Sequence, residues 1–112
     1  MTQNVLIEDE RKLVVVFRVE PGSLGPDGVD HVIGFCLYSQ QELENNNEKL
    51  VRCEIIPRND KSLPEMEYRV SNKKLSHGQA SKYLSALGGS LDAFEDALLD
   101  SMSNFIEQYM GH

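Results

Sequence analysis

The chain has 112 residues, a hydrophobic fraction of 40% and a net charge of −7. That length fits one domain, and the apolar fraction is too high for a disordered chain. The charge opposes non-specific binding to nucleic acid or anionic lipid, since both are polyanions.

The amino-terminal stretch before Glu8-Asp9-Glu10 lacks the basic start and long apolar run of a signal peptide. The longest apolar run, Val32 to Tyr38, is far short of the roughly 20 residues that span a bilayer. Cys36 and Cys53 are too few for a disulfide scaffold and lack metal-site spacing. A soluble, cytoplasmic protein is the expectation. Charge is unevenly spread: residues 58–82 hold 6 bases and 3 acids, whereas residues 83–112 hold 5 acids and no Lys or Arg.

In chain order, Val5-Leu6-Ile7 offers a short fifth strand at the amino terminus. Leu13 to Val19 is β-branched and aromatic, which predicts a strand over about 13–20. Pro21-Gly22 ends it, and Pro26-Asp27-Gly28 reads as a turn. His31 to Tyr38 is apolar on both faces and predicts a central strand over 31–38. Ser39-Gln40-Gln41-Glu42 matches a capping box, with a helical turn ended by Asn45-Asn46-Asn47.

Leu50 to Ile55 and Met66 to Val70 alternate, predicting strands over about 50–56 and 66–71. From Ser76 the period becomes helical, with helices over about 77–87 and 91–110. Gly88-Gly89 is the stop between them and Ser90 the cap of the second. In that second helix Leu91, Phe94, Leu98, Met102, Phe105 and Tyr109 form one stripe. Asp92, Asp96, Asp100 and Glu107 lie away from it. Strands followed by helices predict an α+β fold, a four-stranded antiparallel meander with two C-terminal helices packed on one face.

Candidate sites are sparse. Gly22, Gly25 and Gly28 have phosphate-cradle spacing, but no Lys lies nearby and a strand is expected next. The cysteines read as small core hydrophobes. His31, His77 and His112 show no zinc spacing, and no catalytic signature is present. No catalytic residue, cofactor or metal is therefore expected. Lys73-Lys74 with Tyr68 and Arg69 is the best nucleic-acid feature, and it is short.

Glu95 is out of place on the apolar stripe, either near water in the helix's first turns or as a buried carboxylate with a shifted pKa. Leu99, Ile106 and Met110 widen the stripe and, with Asp92, Asp96 and Asp100, make a candidate partner-binding edge. The expected function is a non-catalytic protein-interaction module, an adaptor or regulator with a protein partner or a second copy. An acidic mimic of nucleic acid that inhibits a DNA-binding protein is one alternative. A small enzyme or ligand binder with a pocket near Glu95 is another.

Overall fold

The computed structural model describes residues 9–44 and 49–111. The expected strand at Val5–Ile7, the Asn45–Asn47 helix stop and His112 lie outside them. Strand β1 (Leu13–Val19) leads through a short 3-10 turn at Pro21–Leu24 into helix α1 (Gly28–Glu44). Strands β2 (Val51–Pro57), β3 (Met66–Val70) and β4 (Lys73–Leu75) follow, then helices α2 (His77–Ala86) and α3 (Leu91–Met110).

The sheet order is β2-β1-β3-β4, with β1 and β2 parallel and the other pairs antiparallel. The expected antiparallel meander is thus replaced by a mixed sheet built on a β1-α1-β2 crossover. Residues 31–38 are helix, not a central strand, and Ser39 to Glu42 lie inside that helix instead of capping one. Ser39 is fully buried there, and its hydroxyl has no hydrogen-bond partner among the described residues. The capping box occurs instead at Ser76, which accepts from the Gln79 amide while the Gln79 side chain accepts from the Ser76 amide.

Leu13, Val15, Phe17 and Val19 alternate onto one face of β1. They join Val32, Phe35 and Cys36 of α1, Ala80 and Leu84 of α2, and Leu91, Leu98, Met102 and Phe105 of α3 in one core. All three helices therefore cover the same side of the sheet. On the opposite face, cross-strand neighbours fall into rows. Arg52, Val14, Arg69 and Lys74 form one row, and Glu54, Val16 and Glu67 the next. Arg18 follows, donating to Glu67 at 2.9 Å and to the Pro64 carbonyl at 2.9 Å. The 58–65 connection thus folds back over this end of the sheet.

The outer edge of β2 is closed by a side chain. Leu13 N–H donates to Leu50 O and Arg58 N–H to Val19 O. This parallel register turns the backbone groups of residues 51, 53, 55 and 57 away from β1. Gln40 reaches over from α1, donating to Cys53 O at 2.8 Å and accepting from Ile55 N at 2.8 Å. One side-chain amide thus stands in for a neighbouring strand's peptide group, and Pro57 removes the next outward donor. Edges left open invite strand pairing with other chains. Gln40→Ala should lower stability by about 1–2 kcal/mol and raise self-association. Urea midpoints and light scattering check this, and a variant matching the wild type in both would show that water replaces the clip.

Candidate functional site

Helix α1 is apolar on two sides. At about 100° per residue, Val32, Phe35 and Ser39 fall on the side facing the core, where all three are buried. Val29, Ile33 and Leu37, each four residues from the next, fall on a second side about 130° around the helix. They are 76%, 66% and 68% exposed. The outward stripe runs about 12 Å along the helix. Single exposed aliphatics need no explanation, whereas three in register on a well-packed helix do.

The helix that carries this stripe is acidic, and so is α3, which crosses it. Helix α1 carries Asp30, Glu42 and Glu44, and α3 carries Asp92, Glu95, Asp96, Asp100 and Glu107. Neither helix has a Lys or Arg. The two helices touch directly: the Tyr38 hydroxyl donates to Gln108 Oε1 at 2.6 Å, and the Tyr109 ring packs edge-on to Phe35. A Cβ at Gly34 would meet the Tyr109 hydroxyl at 2.2 Å, so the glycine leaves room for the tip of that side chain.

The expected partner-binding edge of α3 is split. Asp92, Asp96 and Asp100 are exposed and Leu99 is 45% exposed. Ile106 and Met110 are half-buried and pack against the core. Lys73 and Lys74 are exposed on β4, but Tyr68 turns into the core while Arg69 lies on the opposite sheet face, bonded to Glu67 at 2.6 Å. These four residues share no single surface.

The glycine-spaced loop does precede a helix, contrary to expectation. Its helix start is flanked by Asp27 and Asp30, which oppose a phosphate. Burial pushes the Cys36 thiol up to about 11. Burial and then the Glu54 charge push Cys53 to about 12. Both stay protonated near neutrality, which removes their nucleophilicity.

Glu95 lies partly buried at the junction of α2, α3 and β3. Its carboxylate accepts from the Tyr68 hydroxyl and lies 3.3 Å from His77 Nε2. Burial, followed by the hydrogen bond and charge of Glu95, raises the Tyr68 phenol well above its ordinary range. A cleft of about 320 Å³ is lined mostly by apolar groups of Leu50, Val51, Leu84, Ala93, Phe94 and Ala97. Glu95 is not among its lining residues.

The sequence signal for Glu95 was its place on an apolar stripe, but nothing in the spacing pointed to His77 or Tyr68. The outward stripe of α1 is hidden in the sequence because Ile33 and Leu37 belong to a run, 31–38, that is apolar on both faces and predicts a strand, while Val29 lies outside that run. Among the described residues no helix is long and apolar enough to cross a membrane. Compared with known proteins, the chain matches no family model, no curated protein and no solved structure.

Proposed function

We propose that the protein is a non-catalytic interaction module whose docking surface is the outward face of α1. The observation that carries this is the second apolar stripe of Val29, Ile33 and Leu37 on a helix already anchored by its other side. Fully burying each side chain is worth about 1.5–3 kcal/mol. Three of them, set against the cost of association, suit a transient contact better than a permanent one.

Charge selects the occupant. The stripe's own helix carries three carboxylates and no Lys or Arg, and α3, which crosses it, carries five and none. A second copy docked there would bring acids against acids. A basic amphipathic helix from another protein would bury its apolar side on the stripe and set its Lys and Arg against Asp30 and Glu44. A cytoplasmic setting belongs to the same proposal, supported by two free cysteines held as thiols.

A labelled amphipathic Leu/Lys helix tests the reading by fluorescence anisotropy. Binding should weaken with salt, and the Ile33→Asp/Leu37→Asp double variant should lose at least tenfold in affinity with its circular dichroism unchanged. Equal binding by a Leu/Glu helix, or no loss in the double variant, would refute the proposal. Light scattering should show a monomer. A dimer abolished by the same variant would assign the stripe to self-association instead.

A further inference from the structure

The start of α2 and the first turns of α3 bring together three potential metal ligands. His77 opens α2, immediately after the Ser76 cap, while Asp92 and Glu95 are three residues apart near the start of α3. One donor atom from each, a ring nitrogen and two carboxylate oxygens, lies within 4.8 Å of the others. Tyr68 supports the group from β3 below. Its hydroxyl donates to the second oxygen of Glu95, and its ring meets the His77 ring edge-on with centroids 5.6 Å apart. We propose that His77, Asp92 and Glu95 form a three-ligand site for a divalent transition metal of the zinc class, with Tyr68 as its positioning residue.

The donor set decides the class of ion. Two carboxylates and one neutral imidazole balance a doubly charged ion and match the nitrogen and oxygen ligands of zinc or manganese. Calcium and magnesium favour oxygen-only shells of six or more ligands, so the imidazole selects against them. Tetrahedral zinc with bonds of 2.0–2.2 Å needs about 3.4 Å between ligand atoms. The His77 Nε2 to Glu95 Oε1 separation of 3.3 Å already meets this. Asp92 is exposed, its donor oxygen lies within 4.8 Å of the other two, and metal binding would require its side chain to rotate inward.

Tyr68 does what outer groups around metal ligands do. It occupies one carboxylate oxygen and leaves the other aimed at His77. Among the described residues, Glu95 forms its ion pair with His77 and with no Lys or Arg. Among the described residues the partly buried carboxylate therefore has no permanent cation. The positive ends of two helices oppose a metal here, but their effect is smaller than that of two carboxylates at bonding distance. Three protein ligands leave a coordination position open to water or to a donor atom from a docked molecule.

The test is zinc titration of chelator-treated full-length protein by calorimetry, with thermal unfolding in parallel. One equivalent should bind, and the melting temperature should rise with zinc but not with magnesium. His77→Ala and Asp92→Asn, both at exposed positions, should each weaken binding at least tenfold, and Glu95→Gln should do the same. Tyr68→Phe should weaken it by about tenfold without abolishing it, the scale of a lost outer-shell bond. Cobalt(II) should give a visible spectrum that changes in His77→Ala and lacks a thiolate charge-transfer band. Absence of zinc binding would overturn the proposal. So would stoichiometric binding that survives both His77→Ala and Asp92→Asn, or magnesium bound as tightly as zinc.

Discussion

Arg18→Ala should lower stability by about 3–5 kcal/mol, the range seen when one partner of a buried ion pair is removed. The Arg18 and Glu67 side chains are only 7% and 4% exposed. Their charges hold each other in a place where neither is solvated. Removing the guanidinium also orphans the Pro64 carbonyl and loosens the 58–65 connection from the sheet. Arg69 still reaches Glu67, but from a position 44% exposed, so it replaces only part of the lost attraction. The double variant Arg18→Met/Glu67→Leu should recover most of the loss, because no buried charge is then left alone. Urea midpoints at unchanged slope measure both effects. An Arg18→Ala loss below about 1 kcal/mol would mean that Glu67 reaches water when its partner is gone.

The same pair sets an acid dependence. Burial alone would raise the Glu67 carboxyl, but the hydrogen bonds and charges of Arg18 and Arg69 outweigh it and hold the group below its ordinary range. The unfolded chain then takes up a proton first, near its ordinary value of about 4.3. The stabilisation from Glu67 is fully present above that pH and is lost as pH falls through the lower folded value. In Arg18→Ala part of that depression is lost, while Arg69 keeps its own share. The stability gap between wild type and variant should therefore shrink below about pH 4. A gap constant from neutrality into acid would detach the pair from the acid response.

What the sequence revealed depended on whether an element had one apolar side or two. Helix α3 has one, so its period placed it over 91–110. Strand β1 announced itself through β-branched residues, although nothing local showed that its neighbour β2 runs parallel to it. Helix α1 defeated the periodicity because core residues and outward residues interleave into one unbroken apolar run. The parallel pairing was lost with it, since a strand in place of the crossover helix leaves only hairpins. Strand β4 was missed for another reason. It is three residues long, and its turn at Ser71-Asn72 takes positive φ at both positions without a glycine to signal it. Glu95 was visible as an anomaly, but His77 is 18 residues away in sequence and Tyr68 is 27. Only the packing of β3 under both helix starts unites them.

Gly28→Ala should cost about 3 kcal/mol, at the upper end of what overpacking costs, although alanine is the better helix former. Gly28 is the buried first residue of α1, and its amide donates to Gly25 O at 3.0 Å. A Cβ there would lie 1.7 Å from the Pro21 carbonyl oxygen and 2.7 Å from its carbon. The obstacle is backbone and a Cβ has no rotamer, so relief requires the 3-10 turn and the helix to separate. That contact fixes where α1 starts and hence the direction in which Val29, Ile33 and Leu37 point. Gly22→Ala is the matched control, since its nearest foreign atom is Glu20 Cγ at 3.9 Å. It should change stability by no more than about 0.5 kcal/mol. Gly25 is required for a different reason, a φ of +95° that alanine resists even in open space. The three evenly spaced glycines thus serve a β-to-α connection through close approach at one position and backbone conformation at another. Equal stability losses in Gly22→Ala and Gly28→Ala would show that the turn yields. The orientation of the docking stripe would then rest on Tyr109 against Gly34 instead.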